Sequence, residues 1–242
     1  MIEPDVIAGA NNHPMPPPTD LGEDSLTRLT AQAMVAGRLR VEILSGTIVP
    51  GTRLLQARVA ERMHTSTTPV REAMAELAGE GLVDPDPHRG FIVHEPSEPE
   101  LLEVYELRSL LDPICMAKTV DNITDAEIDY ADSLCRRMEA ETEPGAWVVL
   151  NSKFHALLDN ASRSPLLAST IRNLRNRSSI YIAASLREAP ERMSSANEEH
   201  AVMVEACRRR DVDSALVPTK AHISATVDLV SVHLRRLGSR TA

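Results

Sequence analysis

A chain of 242 residues with 43% hydrophobic content is long enough to bury one sizeable core and still build a small second domain. No apolar run approaches the roughly 18 residues that a membrane span needs, and no basic segment followed by an apolar one opens the chain, so a soluble cytoplasmic protein without a membrane partner is expected. The net charge of -9 does not exclude nucleic acid, because residues 1–27 hold five acids and no Lys or Arg, whereas residues 38–71 hold Arg38, Arg40, Arg53, Arg58, Arg62 and Arg71 against Glu42 and Glu61.

Residues 1–24 are rich in proline, lack apolar periodicity and read as a tail that builds no core. From Ser25 a helical pattern of Leu26, Leu29, Ala33, Val35, Ala36, Leu39, Ile43 and Leu44 runs to Gly46. The stretch TIVPGTRL reads as a Pro-Gly turn, and LQARVAERM as a short second helix with Leu55, Val59, Ala60 and Met63 on one face. After a tight connection at His64 and Thr65, Thr68 is expected to cap a third helix with Pro69 at its first position. That helix should bury Val70, Met74 and Leu77 and end near Gly79 to Gly81. The runs Leu82-Val83 and Phe91-Ile92-Val93 around a Pro/Asp/Gly turn predict a β-hairpin.

From residue 97 onward the pattern is helical throughout, with spans near 98–119, 124–141, 145–160, 164–187, 191–210 and 212–237. There is no fixed internal period, so these form a bundle rather than a repeat array, with kinks expected at Pro113 and Pro218. Cys115, Cys135 and Cys207 are widely spaced, form no Cys-x-x-Cys pair and read as core residues. The fold class is therefore mainly α: a winged helix-turn-helix over 25–96 and an all-helical bundle over 97–242.

In such a domain the third helix enters the major groove by its amino-terminal end, where free N–H groups and the hydroxyls of Ser66, Thr67 and Thr68 can meet phosphates or base edges. Arg71, one turn in, can reach a guanine or a phosphate. The same residues could be no more than a cap cluster and a solvated arginine.

The runs LRVEILSGTIVPGTRL, VAERMHTSTTPVREAMAELAGEGLV and HRGFIVHEPS closely resemble the amino-terminal domain of GntR-type transcriptional regulators. The helical part, with YELRSLLDPICMAK near its start, is similar to the FCD ligand-binding bundle of the FadR subfamily. The resemblance implies DNA contacts from Arg71, from Arg89 and Gly90 in the wing, and from Arg58 on the second helix. Thr67 stands where the family usually has arginine.

Spacing alone says little about the eight histidines, which include no short ligand pair. The resemblance implies more, because a metal-binding branch of the family uses one Asp and three His at positions that here are Asn151, His155, His200 and His222. Asn151 and His155, at i and i+4, share a helix face. An amide oxygen is a neutral, weaker ligand than a carboxylate and leaves the site one negative charge short. Three imidazoles suit zinc or nickel. Arg108 is a candidate anchor for an anionic effector, or else the partner of Glu106 or Asp112.

The expected function is a repressor that binds an inverted-repeat DNA operator as a homodimer and responds to a small carboxylate, the last implied by the family alone. A metal sensor, with the ion itself as effector, is the alternative. A metallohydrolase would need a general base that no motif supplies.

Overall fold

The computed structural model describes residues 30–86 and 90–241, with side chains through residue 236. The 1–24 segment, Leu26, Leu29 and Arg89 lie outside the described residues. Helix α1 spans Ala31–Leu44 and starts later than Ser25, because Thr30 is extended (ψ 153°) and its hydroxyl accepts from the Ala33 N–H at 3.1 Å. Its buried face carries Val35, Ala36, Leu39, Ile43 and Leu44, and the chain leaves it through Gly46 at φ +73°.

The turn after α1 leads into a two-residue strand, β1 (Arg53–Leu54), where the sequence predicts only a turn. It is followed by α2 (Gln56–Arg62), α3 (Thr67–Gly79), β2 (Val83–Asp86) and β3 (Gly90–Val93). The sheet order is β1-β3-β2, all antiparallel, with Asp84 opposite Ile92 and Arg53 on its other side. Val59, Ala60, Val70, Met74, Leu77, Leu82 and Val93 pack with the α1 face into one core.

The cap of α3 is Ser66, not Thr68, and its hydroxyl makes no cap hydrogen bond. Pro69 thus sits in the third helical position, which it tolerates because the first-turn N–H groups have no intrahelical acceptor in any case.

Beyond the wing come α4 (Glu98–Asn122), α5 (Asp125–Glu139), α6 (Pro144–Ala161), α7 (Pro165–Ser179), α8 (Ile182–Glu188), α9 (Glu191–Arg209) and α10 (Val212–Thr241). Ser97 and Thr124 cap α4 and α5, the latter as a full capping box with Glu127. Helices α4 and α10 continue through Pro113 and Pro218.

The single helix expected over 164–187 is two, broken at Ile180-Tyr181. The Ser178 hydroxyl bonds back to the carbonyls of Leu174 and Arg175, and that of Ser179 to Arg175, competing with the helical ladder just before the break. The cysteine thiols are pushed up by burial, Cys115 and Cys207 to about 11 and Cys135 to about 12, as befits core residues.

Candidate DNA-reading helix and metal centre

Ser66, Thr67, Thr68 and Arg71 are all exposed at the amino-terminal end of α3, and Arg58 is exposed on α2. No described residue engages the three hydroxyls, and neither Arg58 nor Arg71 has an ion-pair partner among the described residues. The other arginines of the basic stretch are occupied. Arg38 and Arg62 meet Glu42 at 2.8 Å each, Arg40 bridges Glu76 and Glu80 at 3.0 and 2.7 Å, and Arg53 meets Asp86 at 3.3 Å. The local positive excess counted in sequence is thus mostly neutralised within the domain, which concentrates free cationic charge at Arg58 and Arg71. Gly90 has φ +106°, and a Cβ there would lie 2.9 Å from the Leu54 carbonyl oxygen. The β1–β3 pairing alone therefore demands glycine at this position.

In the bundle, α6, α9 and α10 bring His155, His200 and His222 together, with one ligand nitrogen of each within 4.8 Å of the others and all three rings buried. Ring centroids stand 4.8 to 5.1 Å apart. His155 Nε2, both nitrogens of His200 and Oδ1 of Asn151 are buried without a hydrogen-bond partner. Such orphaned polar atoms each carry a desolvation cost of about 1–3 kcal/mol that a bound ion would remove. His222 differs: its Nδ1 donates to Glu199 at 2.6 Å, which leaves Nε2 as the acceptor. Burial holds His155 and His200 well below the usual imidazole range, and it lowers His222 despite the Glu199 bond. Neutral rings with open lone pairs are what a divalent cation requires, so the residues present fit a zinc or nickel ion.

A cavity of about 30 Å³ adjoins the cluster, lined by Arg108, Asn151, His155, Arg175, Arg192 and His222 among others. Arg108 is held by Asp112 at 3.0 and 3.3 Å, so the salt bridge considered from sequence forms and the side chain lines the cavity as well. Four participants were missed in the sequence. Arg175 binds Asp159 at 2.5 and 3.2 Å, and Arg192 clasps Glu199 at 2.7 and 3.0 Å. Burial draws the Arg175 guanidinium down, but Asp159 and Asp112 more than offset this and keep it charged. Only Asp159 left a trace in the sequence, standing at i+4 from His155 on the same helix face. Asp112, Asp159 and Glu199 are each held by a guanidinium, Asp112 through Oδ2 alone.

Helix α7, which carries Arg175, also holds the far end of α3. Asn173 donates to the Gly79 carbonyl at 2.8 Å and Asn176 to that of Glu80 at 3.0 Å. Both carbonyls belong to the last turn of α3, where intrahelical donors run out. Arg177 reaches Glu100 at 2.9 Å, and Glu100 meets His94 at 2.9 Å just after β3.

Residues 31–93 match the family described as bacterial regulatory proteins, gntR family, and residues 103–225 match the FCD domain. The chain is 29% identical over 183 residues to the Nta operon transcriptional regulator of Aminobacter aminovorans, covering 75% of this chain and 85% of that one. It is 26% identical over 222 residues to a protein of Paenarthrobacter nicotinovorans named as a probable D-xylose utilization operon transcriptional repressor, covering 86% and 97%. The solved structure of E. coli McbR/YncC superposes with a TM-score of 0.74 at 22% identity, over 85% of this chain and 99% of that chain, a likeness of fold.

Proposed function

Because the chain belongs to the GntR family of bacterial regulatory proteins, in its FadR-like, FCD-containing subfamily, and is therefore a DNA-binding transcriptional regulator, we propose that a small carboxylate bound beside a metal ion in the bundle controls its affinity for an operator. The observation that carries this reading is the set of orphaned nitrogens on His155 and His200, beside a cavity flanked by Arg108, Arg175 and Arg192. His155, His200, His222 and Asn151 would hold the ion, which when bound supplies a Lewis-acidic position for an oxygen ligand. Arg108 and Arg175 orient the carboxylate through charge-assisted hydrogen bonds.

At the DNA end, Arg71 and the hydroxyls of Ser66, Thr67 and Thr68 contact the major groove, with Arg58 on the flanking backbone and Arg89 and Gly90 in the wing. We take residues 25–96 as the reading head and 97–242 as the effector and dimerisation unit. Two copies binding an inverted repeat require a homodimer, and α4 offers a face for it: Leu107, Leu110 and Ile114, at i, i+3 and i+7, are 42%, 62% and 51% exposed. The regulator acts in the cytoplasm as a repressor. No helix among the described residues is long and apolar enough to cross a membrane.

Coupling follows through α7. A ligand that repositions Arg175 shifts the helix whose Asn173 and Asn176 grip the last turn of α3. By linkage, the factor by which ligand weakens DNA binding equals the factor by which DNA weakens ligand binding. A second reading, in which the ion is itself the effector, draws support from the small size of the cavity, about 30 Å³.

The test is to select bound sequences from random duplex DNA and measure their affinity with and without added zinc and small carboxylates. An inverted repeat bound by the wild type and lost on Arg71→Ala supports the reading; no selected sequence overturns it.

A further inference from the structure

The cavity beside the histidines is walled mostly by buried side chains, Arg108 and Arg175 among them, but Arg192 is only half-buried. A second, wider cleft of about 410 Å³ lies between α8, α9 and α10, where Ser185, Ser195 and Ala225 line it. Arg192 and Leu229 are the described residues common to both linings, so their side chains stand between the cleft and the cluster. Glu191 and Asp228 also line the cleft and meet no cation among the described residues, which favours a cation over an anion within it.

Arg192 is the second residue of α9, a helix that starts at Glu191 after Pro190 and has no side-chain cap. Uncapped first turns fray at little cost, and a helix amino terminus gains nothing from a cation. The guanidinium is held instead by Glu199, two turns further on, through Nη1 to Oε1 at 3.0 Å and Nη2 to Oε2 at 2.7 Å. Oε2 of Glu199 also accepts from Nδ1 of His222 at 2.6 Å.

We infer that this cleft is the route by which a divalent metal ion reaches His155, His200 and His222, and that Arg192 is its gate. This rests on the metal-site reading above and adds to it how the ion enters and leaves. With the guanidinium swung into the cleft, Oε1 of Glu199 is freed while Oε2 stays on His222, so opening the gate also presents a carboxylate oxygen at the threshold. Closure returns Arg192 to Glu199 and shuts the cluster off from the cleft. Exchange is slow because a bidentate, charge-assisted pair must part each time, not because the bundle must unfold.

The experiment loads the full chain with zinc, removes the excess and follows zinc release into a coloured chelator, at concentrations where the rate no longer depends on the chelator. Uptake by the metal-free chain and affinity by competition are measured alongside. Arg192→Ala should release and take up zinc about tenfold or more faster than wild type, with an affinity within about threefold of it, because a gate changes both rates together. Ser195→Trp, which puts a large ring into the cleft from an exposed position on α9, should slow both. Release from Arg192→Ala at the wild-type rate, or faster release matched by an equal loss of affinity, overturns the gate while sparing the metal site. Ser195→Trp exchanging zinc as fast as wild type does the same to the route. Wild type that retains no zinc overturns both this inference and the metal site.

Discussion

The side-chain amide of Asn176 donates to the backbone carbonyl of Glu80 at 3.0 Å, joining the bundle to the residue that caps the DNA-reading helix. Asn173 makes the parallel bond to Gly79 at 2.8 Å, and Arg175, at the cavity, lies between the two asparagines in sequence. Cavity and reading helix are thus one α-helix apart. Replacing both asparagines with alanine should cost roughly 1–3 kcal/mol of stability, one hydrogen bond at the surface and one from the buried Asn176. Zinc content should stay the same, while the change in operator affinity on adding zinc or ligand shrinks toward none. An unaltered response in a DNA-binding assay would show that the signal travels elsewhere.

Arg71→Ala should lose about 1–3 kcal/mol of specific DNA binding, read by competition against nonspecific duplex. Lys153, exposed on α6, is the control, and Lys153→Ala should change nothing measurable. Arg187 looks like a surface residue in the sequence but is no neutral control, because its guanidinium donates to the Ser45 carbonyl at 3.2 Å between bundle and head.

Gly145 sits at the start of α6 directly against that same Ser45. A Cβ at this position would lie 2.6 Å from the Ser45 carbonyl oxygen, a backbone atom that cannot swing aside. Gly145→Ala should therefore destabilise the protein by about 1–3 kcal/mol in denaturant unfolding, despite alanine's better helix propensity. A gain in stability would mean that head and bundle are not held as described.

The metal-free protein should be acid-sensitive near neutrality. Burial holds His155 and His200 well below the usual 6.5, and His222 is also lowered, so the folded state keeps all three rings neutral while the unfolded chain protonates. A depressed folded pKa makes stability full above about pH 6.5 and lost as the pH falls from there toward the folded values. Chelator-treated protein should lose up to about 1.4 kcal/mol per pH unit for each such histidine, and His200→Gln should flatten the slope. A stability profile level from pH 7 down to pH 5 would contradict this.

Much of this architecture was legible in the chain. Helical periodicity, Pro and Gly punctuation and the Val83/Phe91 hairpin mark the elements, since each signal is local. The errors lie where distant residues decide. Strand β1 has two residues and exists because β3 pairs with it, and Arg40 loses its free charge to Glu76 and Glu80, which a later helix supplies. The α7–α8 break depends on serine hydroxyls bonding backward, a choice that a Ser-Ser pair does not announce. At the bundle site the resemblance named three histidines that the fold gathers, yet Arg175 and Arg192 carry no motif. The role of Arg175 arises only when α6 and α7 bring Asp159 within reach, and the Arg192–Glu199 pair, seven residues apart on α9, matters only once α10 sets His222 beside it.

The most direct test of the account is the metal content of purified protein, measured by elemental analysis on wild type and on His200→Ala after the same zinc or nickel loading and desalting. About one ion per chain in wild type and almost none in the variant is the predicted result. Wild type that emerges without metal would contradict it and show His155, His200 and His222 to be a metal-free polar cluster.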